Sequence, residues 1–214
     1  MKHIVAINAS PRTTWNTASL VKKAAEGAAD QGASVTNFDL YSLSPYTGCV
    51  SCFGCKLEGH LGTCIRRDGL TPVLDAINTA DGLILGTPNY LGDVSAAFRA
   101  LYERLIFPAI TYKTGMRTYR TRPIPVLMIM TSNVAEEAYP MTGYDALLQK
   151  YKNNLSGRVG PTEVMIYGDT LQVSDYSKFD WTMFDPAAKQ ARHETEFPKA
   201  LKKAYDLGAK LILD

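Results

Sequence analysis

The first twenty residues combine a short apolar run, a polar loop and the start of a helical pattern. The apolar run, residues 3–7, is rich in β-branched residues and too short for a stable helix, so it predicts a buried strand. The helical pattern begins near Asn16 or Thr17, either of which is expected to cap it. A strand that leads through a polar loop to a helix N-terminus presents backbone N–H groups that can bind an anion.

Side chains of this loop add further donors to the predicted anion site. Ser10 and Thr17 supply hydroxyl groups, Asn16 supplies an amide and Arg12 supplies a positive charge. The loop has neither the glycine and lysine pattern of triphosphate-binding loops nor the glycine pattern of dinucleotide-binding loops. It therefore favours one terminal phosphate bound without a metal ion. The alternative is a helix that follows a strand and binds nothing.

The rest of the chain alternates short apolar segments with helical patterns. Strands are predicted near residues 34–40, 82–86, 125–130 and 163–167, and the last helix is predicted to begin at Asp185 and Pro186. Strands that are apolar on both faces indicate a parallel sheet with helices on both sides. The sequence therefore predicts an α/β, flavodoxin-like fold with five parallel strands in the order 2-1-3-4-5.

Ligands of such sheets bind beyond the carboxyl ends of the strands, where the strand order reverses. Three segments should meet there: the first loop, a predicted loop at residues 87–93, and a turn at residues 131–133. The second segment offers the aromatic face of Tyr90 and backbone polar groups, a mixture that suits a flavin ring. By themselves, the second and third segments are also compatible with simple turns.

The motif Ser10-Pro11-Arg12…Asn16-Thr17 and the stretch TPNYLGDVSAAFRALYERL resemble the NAD(P)H-dependent FMN reductase family. That family is flavodoxin-like and includes iron–sulfur flavoproteins and multimeric quinone reductases. The resemblance implies an FMN-dependent enzyme that passes electrons from NAD(P)H to a quinone, a flavin or a similar acceptor. Because the flavin performs the hydride chemistry, no catalytic side chain is assigned. The predicted FMN-binding residues are Ser10, Arg12, Asn16, Thr17, Pro88, Asn89, Tyr90, Leu91, Gly92, Thr131, Ser132 and Asn133.

All four cysteines of the chain lie close together: Cys49, Cys52, Cys55 and Cys64. A Cys-x-x-Cys-x-x-Cys run can direct three thiolates to one centre, as at iron–sulfur clusters. The run resembles the cysteine motif of iron–sulfur flavoproteins, although the gap before the fourth cysteine is longer here and contains His60. Three interpretations stay open: a 4Fe–4S cluster, free thiols, or zinc. The cluster interpretation makes the protein an electron carrier with ferredoxin-like partners.

Length and composition limit the remaining possibilities. The chain of 214 residues is predicted to form one domain, with a cysteine-bearing loop at 46–67 and a C-terminal extension with a helix at 168–214. Its net charge of +2 predicts no nucleic-acid or membrane partner. The absence of a signal-like segment favours the cytoplasm. The family resemblance implies a homodimer or homotetramer.

A basic segment and an aromatic segment have two interpretations each. Lys113, Arg117, Arg120 and Arg122 are compatible with a site for the phosphate of a pyridine nucleotide or with a solvated surface. Aromatic residues of the extension, between 176 and 184, are expected to cover their own sheet or to contact a neighbouring subunit.

Overall fold

The computed structural model of the chain describes residues 1–213; Asp214, the last residue of the predicted domain, lies outside them. The strands are β1 (His3–Asn8), β2 (Ser34–Asp39), β3 (Gly82–Tyr90), β4 (Asp93–Val94), β5 (Val126–Thr131) and β6 (Thr162–Tyr167). The helices are α1 (Asn16–Asp30), α2 (Thr71–Thr79), α3 (Ala96–Ala109), α4 (Tyr139–Thr142), α5 (Tyr144–Arg158) and α6 (Pro186–Leu213). No helix within residues 1–213 is both long and apolar enough to span a membrane.

Five strands pair in parallel, in the spatial order β2-β1-β3-β5-β6. The two-residue β4 pairs antiparallel with the end of β3 and lies outside this series. The parallel strands therefore have the predicted order, and the prediction of a flavodoxin-like α/β fold is confirmed. Because all five run in one direction, the segments that follow β1, β3, β5 and β6 leave the sheet at the same edge.

The sheet has an apolar layer on each face. Alternate residues of β1 point to opposite faces, so that Val5 and Ile7 contact one layer while Ile4 and Ala6 contact the other. Helices α2, α3 and α5 cover the first face, and helices α1 and α6 cover the second. Edge strand β2 is only partly buried. The core thus fixes both α1, the helix that follows β1, and α3, the helix that follows β3 and β4.

The start of α1 differs from the prediction. The helix begins at Asn16, but Trp15 occupies the N-cap position and no side chain caps the helix. The side chains of Asn16 and Thr17 are used elsewhere, since Asn16 donates to the carbonyl of Leu171 and Thr17 bonds to Thr131. The prediction that either residue caps α1 was therefore wrong, because contacts distant in sequence engage both groups.

The prediction of a loop at residues 87–93 was also wrong in part. Strand β3 continues through Tyr90, because Thr87 and Pro88 pair with Met130 and Thr131 of β5. Only the turn between Tyr90 and Asp93 remains as a connection. Helix α3 contains Pro108 in its last turn. By contrast, Asp185 accepts hydrogen bonds from the first amides of α6, as predicted for its cap.

Candidate functional site

A pocket of about 40 Å³ lies at the carboxyl ends of β1, β3 and β5. All of the predicted FMN-binding residues except Leu91 and Gly92 line it. They come from three segments that are far apart in sequence, and the parallel topology brings them to one place. The residues that line the pocket from these segments are Ser10, Arg12, Asn16, Thr17, Pro88, Asn89, Tyr90, Thr131, Ser132 and Asn133.

The first loop is shaped by hydrogen bonds from the strand that precedes it. The side chain of Asn8 accepts from the amide of Ser10 at 3.0 Å and donates to Asp39 at 2.8 Å. Ser95, before α3, donates its hydroxyl to the carbonyl of Ala9 at 2.7 Å. These contacts fix the path of the loop from strands β1 and β2 and from the N-cap of α3. Asn8 and Ser95 were not predicted as site residues, because their role is to position the loop rather than to line the pocket.

The second segment ends in a tight hairpin. Leu91 and Gly92 both have positive φ, 54° and 83°, which is the geometry of a two-residue type I′ turn. Asn89 holds the turn by accepting a hydrogen bond from the amide of Gly92 at 3.1 Å. Leu91 is fully exposed at the tip, and Tyr90 is 39% exposed beside the pocket. The hairpin therefore presents Tyr90 at the open edge of the pocket and carries Leu91 and Gly92 away from its lining.

The third segment contributes mainly backbone and the side chain of Asn133. The hydroxyl of Ser132 donates to the carbonyl of Val134 at 2.6 Å and lies 2.9 Å from the hydroxyl of Tyr139. Burial raises the pKa of Tyr139, so this phenol stays protonated near neutral pH. The amide oxygen of Asn133 accepts from Lys189 at 2.8 Å. Ser132 is thus occupied inside the protein, and Asn133 is held in place by the last helix.

A fourth segment, absent from the predicted site, closes the pocket. Thr170 and Gln172 of this segment line the pocket, as does Trp15 of the first loop. Thr170 bonds to the carbonyl of Ser132 through its amide at 3.1 Å and its hydroxyl at 3.0 Å. The sequence offered one signal for this segment: it directly follows β6, whose carboxyl end lies at the same edge of the sheet.

The pocket is suited to an anionic group. Arg12 contributes a positive charge and the N-terminus of α1 contributes unpaired backbone amides and the positive end of its dipole. Among the lining residues there is neither a carboxylate nor a histidine. A volume of about 40 Å³ holds only a few water-sized atoms, so a ligand as large as a mononucleotide must extend beyond this pocket.

The four cysteines line a second, smaller cavity of about 20 Å³, next to Arg104. Cys49 and Cys52 are exposed, and Cys55 is buried. Burial raises the pKa of the Cys55 thiol. His60 is not among the residues around this cavity. Within residues 1–213, no three side chains of the metal-binding types are close enough to form a preassembled metal site.

Two cations, the partly buried Lys56 and the buried Arg104, tie the cysteine loop to helix α3. Lys56, directly after Cys55, donates to the last carbonyls of α3, including that of Phe107 at 2.6 Å. Arg104 is 2% exposed; it pairs with Asp68 at 2.6 Å and donates to the carbonyl of Arg66 at 2.8 Å. The loop is therefore held against α3 near its middle and at its C-terminal end by hydrogen bonds of the protein itself.

The basic segment is engaged in structural contacts. Arg120 donates to the carbonyl of Ile77 at 3.1 Å, and Arg122 donates to Asp81 at 2.8 Å and to the carbonyl of Ala80. These groups lie at the C-terminal end of α2, where cations are favourable. The contacts favour a structural role for these two arginines over binding of a pyridine nucleotide.

A family model described as NADPH-dependent FMN reductase matches residues 2–139, which include the three predicted loops and the cysteine loop. The chain belongs to the NADPH-dependent FMN reductase family. Its membership agrees with the resemblance seen in the sequence. The matched region ends before residues 168–172, so the fourth segment of the pocket lies outside it.

The curated proteins that this chain resembles in sequence are iron–sulfur flavoproteins of archaea and bacteria. One from Methanocaldococcus jannaschii is 36% identical over 101 residues, which cover 47% of this chain and 50% of the relative. One from Archaeoglobus fulgidus is 28% identical over 133 residues, which cover 61% and 59%. The chain thus spans about half the length of the curated relatives it matches.

Solved structures support the fold over nearly the whole chain. An NAD(P)H:quinone oxidoreductase from Methanothermobacter marburgensis has a TM-score of 0.68 at 16% identity and covers 98% of this chain and 96% of its own. An FMN-dependent NADH-azoreductase from Bacillus anthracis, solved with FMN, has a TM-score of 0.66 at 13% identity, with coverage of 99% and 100%. At these identities, the similarity shows that this chain and the two solved proteins share one fold.

Proposed function

We propose that the protein is an FMN-dependent NAD(P)H oxidoreductase that passes electrons to a quinone, a flavin or a similar small acceptor. The observation that carries this proposal is the pocket at the ends of β1, β3 and β5. Residues of three separate segments surround it: Arg12 and the N-terminus of α1 offer donors, here called the phosphate end, and Tyr90 offers an aromatic face. A mononucleotide needs this combination of an anion site and an aromatic edge.

The residues of the pocket have different roles in this proposal. Arg12, Asn16 and the first amides of α1 bind the phosphate, because they are the anion-binding donors of the pocket. Pro88, Asn89 and Tyr90, from the second segment, contact the ring. Asn133 reaches the ring from the opposite side, with its amide oxygen fixed by Lys189.

FMN, when bound, supplies the chemistry by accepting hydride from the nicotinamide and passing electrons to the acceptor. The chain's residues bind and orient the ring, and none of the lining residues is a carboxylate or histidine. Tyr90, 39% exposed, marks the side from which a nicotinamide or an acceptor can approach. The protein thus needs no acid–base residue of its own for the transfer.

Titration with FMN and reduction under argon test the proposal. The chain should quench FMN fluorescence with a stoichiometry of one site per chain, and NADPH or NADH should bleach the yellow complex. Addition of a quinone should restore the oxidised spectrum. A chain that binds no FMN, or a complex that stays yellow with both nucleotides, would contradict the proposal; binding without bleaching would leave only an FMN-binding module.

A second candidate function is that of an iron–sulfur flavoprotein, an electron carrier with ferredoxin-like partners. The observation that favours it is that Cys49, Cys52, Cys55 and Cys64 all line one cavity. Four thiols suit a 4Fe–4S cluster by chemistry, and such a cluster would supply one-electron transfer. Helix α3 connects the two sites: its N-cap Ser95 contacts the first loop and its Arg104 lines this cavity, roughly 13 Å further along the axis.

Anaerobic purification followed by iron, sulfide and zinc assays separates the three interpretations of the cysteines. About four irons and four sulfides per chain support the carrier function. One zinc per chain, or no metal with four free thiols, would exclude the cluster. The FMN proposal is independent of this result, because its pocket shares no residue with the cysteine cavity.

We also propose that the chain is a single domain that assembles as a homodimer or homotetramer. Its two apolar layers share one sheet, which supports a single unit. Sedimentation equilibrium of the FMN complex tests the assembly, and a monomer would contradict it.

A further inference from the structure

Residues 168–172, here called the strap, leave the end of β6 and cross the phosphate end of the pocket. Three side chains of the first loop donate to strap carbonyls. Trp15 donates its indole N–H to Leu171 at 3.1 Å, and Asn16 donates its amide to the same oxygen at 2.9 Å. Arg12 donates to the carbonyl of Gln172. The strap therefore holds the side chains that form the anion site.

These hydrogen bonds leave donors available for a ligand. A guanidinium has five N–H groups and a side-chain amide has two, so one bond to a carbonyl does not exhaust either. Arg12 lies on an exposed loop and has a long side chain, which would lose conformational entropy on binding if it were free. A carbonyl that already fixes its conformation reduces that loss.

The strap is held in turn by helix α6. Lys189, 9% exposed, donates to Asn133 at 2.8 Å and to the carboxylate of Asp169. Arg192 lies 3.1 Å from the other oxygen of Asp169. Asp169 has a φ of 50°, a left-handed conformation that is uncommon outside glycine, although aspartate adopts it more readily than most residues. Lys189 and Arg192 hold the side chain of this residue.

Tyr176 fixes the other end of the strap. Its hydroxyl accepts from the amide of Gln172 at 3.0 Å. Gln172 is also the residue whose carbonyl accepts from Arg12. Tyr176 is buried and packs against Trp181 and Phe184, so its ring is fixed by other aromatic residues. The aromatic extension thus connects through a single hydroxyl to the backbone that orients Arg12.

We propose that the strap is a fourth wall of the mononucleotide site, and that Tyr176 and Lys189 are positioning residues that keep Arg12 and Asn16 in their phosphate-binding conformation. This inference rests on the proposed function, since it takes FMN as the ligand of the pocket. It adds that the specificity for a phosphorylated flavin depends on the C-terminal part of the chain, which contacts the phosphate donors of the first loop.

Titrations of the full-length protein with FMN and with riboflavin test this inference. Riboflavin lacks the phosphate, so a change confined to the phosphate donors affects FMN alone, whereas general loosening of the fold affects both. Tyr176→Phe removes only one hydroxyl, and we expect it to weaken FMN binding roughly three- to tenfold while riboflavin binding stays within about twofold. Tyr205→Phe is the matched control, because its hydroxyl bonds to Asp30 away from the pocket.

Lys189→Met tests the anchor from α6, with Lys202→Met as the control on the exposed face of the same helix. Lys189→Met should lower the ratio of FMN to riboflavin affinity more than Tyr176→Phe does, because it releases Asp169 and Asn133 together. Thermal melting confirms that each variant is folded. An unchanged ratio in both variants, or tighter FMN binding, would overturn the inference while the proposed function stands. If wild-type protein binds neither ligand, the proposed function fails and the inference fails with it.

Discussion

Asn16, the first residue of α1, donates its side-chain amide to the carbonyl of Leu171, which lies 155 residues later in the chain. The amide is buried between the first loop and the strap, at the phosphate end of the pocket. One side chain thus joins the beginning of the domain to its last third. Any change at Asn16 is therefore expected to affect both the anion site and the closure of the pocket.

Asn16→Asp keeps the shape of the side chain and removes its two donors. The carboxylate can only accept hydrogen bonds, so it faces the Leu171 carbonyl and an incoming phosphate with unfavourable charge. We expect FMN affinity to fall roughly tenfold or more, as for the loss of a hydrogen bond to a charged group. Flavin fluorescence titration measures the change.

The control for this change is Asn153→Asp on α5. Asn153 is exposed and accepts from Gln149, a role that aspartate retains, so the control adds the same charge without removing a needed donor. FMN affinity of this control should match that of wild type. Wild-type affinity in Asn16→Asp itself would show that Asn16 does not bind the phosphate.

Gly86→Ala should disturb the packing of α1 on the sheet. A Cβ at residue 86 would lie 2.1 Å from Cγ2 of Val21 and 3.2 Å from Cγ2 of Thr17, so α1 must move outward. Such overpacking costs about 1–3 kcal/mol of unfolding free energy, and urea unfolding measures it. The shift also moves Thr17 and should weaken FMN binding.

Gly157→Ala is the matched substitution at an open position. Nothing lies within 4 Å of a Cβ built there, and the residue is near the end of α5. It should leave stability unchanged or raise it by up to about 1 kcal/mol. Equal effects at the two glycines would contradict the role assigned to the contact of Gly86 with Val21.

The fold could be predicted from sequence because its signals are local. Apolar runs of strand length, separated by helical patterns, define parallel strands, and the direction of those strands places three loops at one edge. The end of β3 was missed since Pro88 and Gly92 suggest a loop, whereas pairing of Thr87 and Pro88 with β5 extends the strand. Only the partner strand could reveal this.

The contacts of the strap could not be predicted for a different reason. Leu171 and Gln172 act through backbone carbonyls, which every residue has, so no side-chain pattern marks them. The caps predicted for α1 failed for the same reason, because the partner of Asn16 is a distant carbonyl. The cysteines, in contrast, have a side chain that is informative by its spacing, and all four line the same cavity.

Asp68→Asn should lower stability in a manner that depends on pH. Burial opposes ionisation of Asp68, but hydrogen bonds from Arg104 and from the amide of Leu70 outweigh it and hold the pKa below the ordinary value of 3.8. The carboxyl group of Asp68 then takes up its proton at a higher pH in the unfolded chain than in the folded one. The ionised carboxylate therefore stabilises the fold at pH values above the ordinary pKa of 3.8. This contribution is lost as the pH falls through the lowered pKa.

The variant should therefore be less stable by about 3 kcal/mol at neutral pH, since it leaves the buried guanidinium of Arg104 without its partner. The difference from wild type should narrow when urea unfolding is repeated at about pH 3. Asp206→Asn, which breaks an exposed pair with Lys202, should change little at either pH. A constant difference across pH would refute the assigned role of the ionised carboxylate.

Leu91→Asn should stabilise the hairpin beside the pocket. Leu91 is fully exposed and has a φ of 54°, a left-handed conformation that costs about 1–2 kcal/mol for an ordinary residue. Asparagine before Gly92 gives the preferred sequence of a type I′ turn. The free energy of unfolding should rise by about 1 kcal/mol, whereas Leu57→Asn, at an exposed leucine with a φ of −81°, should not raise it.

The four thiols should react with iodoacetamide in an order set by their exposure. Cys49 and Cys52 are exposed, and Cys55 is buried beneath the loop that Lys56 ties to α3. Labelling of Cys55 requires that this loop opens, so we expect it to be roughly tenfold slower than that of Cys52 in native protein. Peptide mass spectrometry measures each rate, and urea should make the rates equal.

The same experiment distinguishes the interpretations of the cysteines. If the four thiols form one metal or cluster site, reconstitution with iron and sulfide, or with zinc, should protect all of them together, because a single ion or cluster engages every thiolate. Free thiols would keep their native order of rates after the same treatment. Fast labelling of Cys55 before reconstitution would show that the loop is not held against α3 by Lys56 and Arg104.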